Sequence, residues 1–161
     1  MKKINEFIKE KEFPNDVENM KFLISIAEQA KSNGDVPIAA MLVWSGGRRF
    51  VEHDTRYTGY NPLNHAIINL INKTSETLGP HKLREAILYS IIEPNVLCAM
   101  AIKDAGIKEV VFGAYDNKDG FMSSNILVDH TVLDISTIGG VLGEECCHCL
   151  PESMQEHVRY K

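Results

Sequence analysis

Apolar residues in the first part of the chain recur at the spacing of a helix. Asn15 followed by Glu18 has the form of a capping box, in which polar side chains open a helix. The apolar residues that follow recur at helical spacing: Met20, Leu23, Ile24, Ala27 and Ala30. Because Gly34 ends this pattern, we predict a first helix between Asn15 and Gly34.

Short apolar runs farther along the chain predict strands. The runs are residues 37–44 (PIAAMLVW), 86–92 (AILYSII) and 109–114 (EVVFGA), and a further short strand is expected from Val132 to Ile135. The glycine pair 46–47 follows the first run and precedes the alternating residues 48–53, so we expect a β-hairpin there.

Helical segments separate these strands. The segment from His65 to Asn72 (HAIINLIN) predicts a second helix, and Pro94 opens a third helix that Gly106 ends. The tail is expected to be helical and broken at Pro151. The order α-β-β-α-β-α-β predicts an α/β fold in which helices cover a mixed sheet. Its hairpin is antiparallel, and the later strand-helix-strand step is parallel.

Composition and charge narrow the class of protein. The chain has 161 residues, 44% of them hydrophobic, so we expect one domain at residues 15–161 behind a charged leader at residues 1–14. The leader lacks the apolar core of a signal peptide and no segment approaches a membrane span, so we expect a cytoplasmic protein without a membrane partner. The net charge of −5 disfavours strong independent RNA binding.

Several segments, taken in order, resemble one enzyme family. The segments are Asp35 to Val43 (DVPIAAMLV), Asn64-His65-Ala66, Leu88-Tyr89, Glu93-Pro94, Cys98 to Ile102 (CAMAI) and Val110 to Ala114 (VVFGA). Together they are similar to the cytidine deaminase superfamily, and most to its tRNA adenosine deaminase branch. The resemblance implies a cytidine deaminase-like three-layer sandwich, with a mixed central β-sheet flanked by helices.

The resemblance also implies a zinc site, and this chain departs from it. The family motif is H-x-E followed by P-C-x-x-C, in which one His and two Cys hold zinc and the Glu transfers protons. Here the two motifs read His65-Ala66-Ile67 and Pro94-Asn95-Val96-Leu97-Cys98. Ile67 replaces the Glu and Asn95 replaces the first Cys. Isoleucine cannot transfer protons, and a neutral amide is a poor substitute for a thiolate on zinc.

Two of the family's zinc ligands remain, His65 and Cys98. His65 could instead cap or pack its helix, and Cys98 could be an inert buried thiol, although a helix N-terminus favours a thiolate. A catalytic zinc usually has three protein ligands. We therefore expect no bound cofactor, with zinc held by His65, Cys98 and a recruited donor as the alternative.

The expected lining of a retained ligand pocket is Asp54, His65, Pro94 and Asn95. The resemblance places Asp54 where related enzymes often have a substrate-binding Asn, and a solvated loop carboxylate is the other interpretation. Glu93 belongs to the structural part of the motif, so we do not assign it as a catalytic base.

The C-terminal cluster of Cys146, Cys147, His148 and Cys149 looks at first like a metal site. Zinc ligands usually come as pairs from two segments, and no second C-x-x-C pair exists in this chain. We expect these cysteines to pack on one helix face, with a second zinc site that uses His148 or His53 as the alternative.

These motifs predict a deaminase-fold protein that binds rather than catalyses. It would act as a partner subunit, or as a module that holds a nucleoside-like ligand or an RNA element. The resemblance supplies a precedent, since heterodimeric tRNA adenosine deaminases contain a subunit with an apolar residue in place of the Glu. The alternative is an active nucleoside, nucleobase or tRNA deaminase with a rebuilt metal site and another acid, such as Glu93, for proton transfer.

The resembled enzymes work as dimers, so a homodimer or a heterodimer with a deaminase-fold partner is expected. The candidate surface comprises the helices that begin at His65 and Pro94 and the loop from Asp116 to Asn125. Met100 and Phe121 are the apolar residues expected to face a partner.

Overall fold

The computed structural model describes residues 15–123 and 133–160. Its elements are, in chain order, α1 (Asp16–Ser32), β1 (Ala39–Trp44), β2 (Arg49–His53), α2 (Ala66–Leu78), a 3₁₀ helix (Pro80–Glu85), β3 (Ala86–Ile92), α3 (Val96–Asp104), β4 (Glu109–Asp116), β5 (Ser136–Ile138), α4 (Gly143–Cys149), α5 (Glu152–Gln155) and β6 (Val158–Arg159). No helix in these two ranges is long and apolar enough to cross a membrane.

The strands form a mixed sheet in the order β2-β1-β3-β4-β5, and β6 pairs with β4 off this path. Strand β1 is antiparallel to both β2 and β3. The pairs β3–β4 and β4–β5 are parallel. The predicted hairpin and the predicted parallel step are therefore both confirmed.

Helices cover both faces of this sheet. Every residue of β1 and β3 is buried, as expected for central strands that are almost entirely apolar, with Ser90 the polar exception. On one face, α2 and α3 cover a core that includes Leu42 and Leu88. On the other face, α1 and α4 cover a core that includes the adjacent residues Met41 and Tyr89. This arrangement confirms the expected three-layer sandwich.

The first helix begins as its sequence predicts. The side chain of Asn15 accepts a hydrogen bond from the backbone N–H of Val17 at 2.8 Å, so it caps α1. The other predicted helices differ at their ends. Helix α2 continues to Leu78 because its polar second half still buries Thr74. Helix α3 begins at Val96 rather than Pro94 because Asn95 is its N-cap.

The C-terminal part of the sheet departs most from the prediction. Strand β5 occupies Ser136–Ile138 rather than residues 132–135, and its three side chains are exposed, so no apolar pattern marks it. No pattern predicts the two-residue strand Val158–Arg159 either. Helices on both sides of Pro151 confirm the predicted helical tail. The leader, residue 132 and Asn125 lie outside the described residues.

Candidate functional site

A cavity of about 110 Å³ lies where α2 and α3 begin, beside the carboxyl end of β3. His65, Ile67, Pro94, Asn95 and Cys98 all line it. The two motifs, far apart in the sequence, therefore meet at one site, as the prediction for His65 and Cys98 requires. Asp54 does not line this cavity.

His65 stands at the N-cap position of α2, but its side chain makes no capping hydrogen bond. Capping therefore does not explain this histidine. Burial of the imidazole and the positive charge of Arg56 lower the pKa of His65, while the carboxylate of Asp54 opposes them. The side chain is accordingly a neutral imidazole at neutral pH.

Asn95 uses its side chain to cap α3. Its Oδ1 accepts a hydrogen bond from the backbone N–H of Cys98 at 2.9 Å. This bond satisfies one of the backbone donors that every helix N-terminus leaves unpaired. The amide oxygen is thus committed to the backbone rather than offered to a metal.

Cys98 is a buried neutral thiol. Burial raises its pKa to about 12, and this effect outweighs the opposing charge of Arg56, while Asp54 raises the pKa further. A thiolate at this helix N-terminus is the alternative that the sequence suggests, and burial of the sulfur opposes that charged form. A thiol is a much weaker zinc ligand than a thiolate.

Isoleucine side chains form much of the inner surface of the cavity. Ile67 is only 3% exposed and belongs to the core beneath α2 and α3. Ile38 and Ile92 line the same cavity. At the position where the family motif has its Glu, this chain therefore has a packed hydrocarbon that neither accepts nor donates a proton.

The residues at this site do not fit a zinc ion. Only His65 and Cys98 remain from the family's ligand set, and the oxygen of Asn95 is used by α3. Within residues 15–123 and 133–160, no group of three His, Cys, Asp or Glu side chains is placed to hold a metal. A protein zinc site usually has three or four protein ligands, so a third donor is lacking among the described residues.

Asp54 is fully buried and holds Arg56 in place. Its Oδ1 accepts from the backbone N–H of Arg56 at 3.0 Å, and its Oδ2 accepts from Arg56 Nε at 2.8 Å. The interpretation of Asp54 as a solvated loop carboxylate is therefore wrong. Arg56 lines the cavity instead, and sequence reasoning missed it. The only sequence signal is an Asp two residues before an Arg in a loop.

Glu93 anchors the loop that follows β4. The backbone N–H groups of Asp116 and Ser123 each donate a hydrogen bond to one of its carboxylate oxygens. The backbone carbonyl of the buried Pro94 accepts from Phe121 N–H at 3.0 Å in the same loop. Glu93 lines the cavity but has a structural role there, in agreement with its interpretation from the motif.

A second cavity of about 350 Å³ opens beside the first and shares Arg56 with it. Tyr57 and Tyr60 line this outer cavity. Tyr60 is 94% exposed and has a φ of 49°, a left-handed conformation that is uncommon for a residue other than glycine. Thr58 ties the loop down, since its N–H and hydroxyl both donate to the buried carboxylate of Asp35. The loop is therefore anchored beside the outer cavity, and the rings of Tyr57 and Tyr60 on it are largely exposed.

The C-terminal cysteines serve the packing of α4. Cys146, Cys147 and Cys149 are buried, whereas His148 between them is exposed. A Cβ atom added at Gly113 on β4 would collide with the Cys146 sulfur, so the two elements pack closely. Neither this cluster nor His53 belongs to a metal-binding group within the described residues.

The apolar surface around the site differs from the expected one. Phe121 packs against the core beneath α2 and α3, and Met100 is half-buried. The exposed apolar side chains are instead Val96 and Leu97 at the start of α3, at 54% and 40% exposure. Since Asn95 rather than Pro94 begins this helix, these two residues occupy its solvent-facing first turn.

Comparisons with known proteins identify a family model and relatives whose sequences are similar to this chain. A family model described as the cytidine and deoxycytidylate deaminase zinc-binding region matches residues 14–114. The chain is 35% identical to the tRNA-specific adenosine deaminase of Bacillus subtilis over 130 residues. The aligned region covers 79% of this chain and 81% of that protein. It is 29% identical to the tRNA-specific adenosine deaminase of Haemophilus influenzae over 149 residues. This aligned region covers 88% of this chain and 84% of that protein.

A solved structure shares the fold. It comes from work on A-to-I editing by tRNA:A34 deaminases at the wobble position of transfer RNA. It matches this chain with a TM-score of 0.73 at 28% identity, over 81% of this chain and 97% of that one.

Proposed function

The chain belongs to the family of cytidine and deoxycytidylate deaminases, in the branch of the tRNA adenosine deaminases, and on that premise we propose that it binds a nucleoside-like ligand without hydrolysing it. One observation carries the proposal. The cavity between α2 and α3 persists, while Ile67 fills the position of the proton-transferring Glu and Asn95 caps a helix. A cavity that lacks the groups for the family's chemistry supports a role in binding rather than in hydrolysis.

The expected loss of rate is large. General acid/base groups contribute about 10²–10⁴-fold to catalysis, and losing a metal-activated water adds to that loss. Glu93 does not replace the missing acid, because both of its carboxylate oxygens accept hydrogen bonds from the loop after β4. We therefore expect no deamination of adenosine, cytidine, guanine or tRNA above background.

The aromatic rings beside the cavity favour a ligand with a base. Tyr57 and Tyr60 offer flat surfaces on which a nucleobase stacks, and such stacking is worth about 1–3 kcal/mol per base. The protein's net negative charge makes phosphate contacts unfavourable. A nucleoside, or an unpaired base presented by a larger RNA, suits this site better than a nucleotide's phosphate groups.

The test combines metal analysis, an ammonia assay and calorimetric titration of adenosine, inosine, guanosine and cytidine into the full chain. We expect substoichiometric zinc, background ammonia release and saturable binding of at least one nucleoside. Ala66→Leu, which fills the cavity, should weaken that binding, whereas Val96→Leu, outside the cavity, should not. Stoichiometric zinc together with ammonia release that His65→Ala abolishes would establish the alternative, an active deaminase with a rebuilt metal site.

A second role, as a partner subunit in the cytoplasm, is favoured by the exposed side chains of Val96 and Leu97 together with Leu63, which is 56% exposed in the loop before α2. All three lie in the loop before α2 or in the first turn of α3, the two helices that begin at the cavity, and exposed apolar side chains there mark a candidate interaction surface. We propose that this surface contacts a second deaminase-fold chain, either a copy of this one or a different one.

Light scattering at micromolar concentration tests the homodimer. We expect a dimer that Val96→Glu combined with Leu97→Glu converts to a monomer. A monomeric wild-type protein would exclude self-association and leave a different deaminase-fold chain as the partner to be sought.

A further inference from the structure

The guanidinium of Arg56 has two NH₂ groups that bind no partner among the described residues. Asp54 binds its Nε and its backbone N–H, which fixes the direction of the side chain. Within the described residues, no hydrogen bond occupies the two terminal NH₂ groups of this guanidinium. Arg56 lines both the inner and the outer cavity, so a ligand in either one lies beside its guanidinium.

The ion pair with Asp54 makes Arg56 a donor to neutral ligands rather than to anions. The buried carboxylate balances the charge of the guanidinium, so the pair is neutral as a unit. The other ionised side chains that line the inner cavity are acidic: Glu93, Asp116 and Asp119. An anionic phosphate or carboxylate would meet this negative charge, and a neutral molecule with hydrogen-bond acceptors on one edge would not.

Two aspartates that line the same cavity supply acceptors. Asp116 Oδ1 accepts from the backbone N–H groups of Lys118 and Asp119, while no described residue donates to its Oδ2. Asp119 also lines the cavity. Ionised carboxylates accept hydrogen bonds and never donate them. A well-matched ligand therefore has acceptors on the edge toward Arg56 and N–H donors on the edge toward Asp116.

Purines with an oxygen at position 6 have this pattern. Their O6 and N7 atoms form a pair of acceptors that an arginine fork binds in a bidentate manner. Their N1–H, and in guanine the 2-amino group, donate from the opposite edge. Adenine instead pairs its N7 acceptor with a 6-amino donor, which would oppose an NH₂ group of Arg56. Ile38, Ile67 and Ile92 provide apolar contacts for the faces of the ring.

We propose that Arg56 makes this cavity selective for 6-oxopurines, hypoxanthine and guanine, over 6-aminopurines. The inference rests on the proposed binding function and specifies its ligand. At about 110 Å³ the inner cavity is smaller than the usual 300–1,000 Å³ ligand pocket, so it accommodates a single base. The sugar extends toward the outer cavity, where Tyr57 and Tyr60 stack a neighbouring base when the ligand is part of a larger RNA. This preference is for the base that adenosine deamination produces, not for the base that it consumes.

Calorimetric titration of inosine, guanosine and adenosine into the full chain tests the selectivity. We expect inosine and guanosine to bind about 5- to 150-fold more tightly than adenosine, the range that one matched bidentate contact supplies. Guanosine should exceed inosine because its 2-amino group reaches the carboxylates. The variant Asp116→Asn should weaken guanosine most and inosine less, and it should weaken adenosine least, because adenosine has no N1–H to donate to Asp116.

A second variant reverses the donor pattern. Glutamine carries one donor and one acceptor and pairs with the N6 and N7 atoms of adenine. Arg56→Gln combined with Asp54→Asn avoids a buried unpaired charge, and it should invert the preference toward adenosine. Circular dichroism and thermal unfolding establish that the variant is folded, and the comparison of wild-type affinities stands without it.

The outcomes separate the two proposals. Equal binding of all three nucleosides, or a preference for adenosine in the wild type, would overturn the role of Arg56 and leave nucleoside binding intact. Failure of every nucleoside to bind would overturn the proposed function and this inference with it.

Discussion

The side-chain oxygen of Asn95 lies 2.9 Å from the backbone nitrogen of Cys98, and it accepts a hydrogen bond at the place where related enzymes have a zinc-binding cysteine. One substitution thus converts a metal ligand into a helix cap. Because the cap itself stabilises α3, the chain gains a structural use for the position when it gives up the metal.

Asn95→Cys should restore a third zinc ligand beside His65 and Cys98. We expect zinc content to rise from substoichiometric toward one ion per chain, measured by plasma mass spectrometry. The metal-free variant should lose about 0.5–2 kcal/mol of unfolding free energy, because cysteine does not cap α3 as asparagine does. Adding Ile67→Glu should restore zinc binding more readily than turnover, because the pocket remains unadapted to deamination.

Asn95→Ser is the matched control for this variant. Serine caps helices nearly as well as asparagine but offers no thiolate. It should preserve stability in urea unfolding and bind no additional zinc. Equal zinc contents in the Ser and Cys variants would contradict the assignment of the missing ligand to position 95.

The buried carboxylate of Asp54 should contribute measurably to stability. Asp54→Asn weakens two hydrogen bonds to Arg56, and bonds to charged groups are worth about 1.5–3 kcal/mol each. Because the Arg56 side chain is 29% exposed, water recovers part of this energy, and we expect a loss of about 1–3 kcal/mol in urea unfolding.

Glu52→Gln provides the comparison for Asp54→Asn. It removes a surface ion pair with Lys73, whose side chain is 62% exposed, and should cost less than about 1 kcal/mol. A larger effect of Glu52→Gln than of Asp54→Asn would show that the buried pair is not the stronger one.

The contact between Asp35 and Thr58 should make stability depend on acid pH. Burial alone would raise the pKa of Asp35, but hydrogen bonds from the hydroxyl and N–H of Thr58 outweigh it and hold the pKa below its usual value. The folded-state pKa is therefore lower than the unfolded-state value of about 3.9. The resulting stabilisation is present above that unfolded-state value and is lost as the pH falls through the folded-state pKa.

Thr58→Val tests this linkage, since it removes the hydroxyl and keeps the shape of the side chain. The difference in unfolding free energy between wild type and Thr58→Val should be largest near neutral pH and should shrink below about pH 4. Urea unfolding at a series of pH values measures it. A difference that does not change with pH would mean that the contact does not depend on the charge of Asp35.

All four cysteines should resist alkylation in the folded protein. Each is buried, and burial raises the pKa of Cys98 to about 12 and also raises the pKa values of Cys146, Cys147 and Cys149. The reactive species is the thiolate, so iodoacetamide near neutral pH should label none of them rapidly. Peptide mass spectrometry before and after unfolding in urea measures the labelling. Fast modification of folded Cys98 would contradict its assignment as a neutral thiol.

The sequence by itself determined the layers of this protein and the location of its site. Strand β1 is apolar at every position and β3 at every position except Ser90, and the buried residues of α1 recur at helical spacing. Local patterns were therefore sufficient to place these elements. The ordered motifs placed His65 and Cys98 at the starts of two neighbouring helices. They also revealed Ile67 and Asn95 as departures, because side-chain chemistry is readable from residue type alone.

Only the tertiary structure decided which contacts Asn95 and Asp54 make and which environment surrounds Cys98. Residue type cannot show that the Asn95 oxygen bonds to the N–H of Cys98, because a hydrogen bond depends on distance and direction. Nor does it show that Asp54 is fully buried beneath Arg56, since a loop without periodicity carries no burial signal. The raised pKa of Cys98 likewise cannot be predicted from its residue type. The charged form is disfavoured by the surroundings that the fold creates, and those surroundings come from residues distant in the chain.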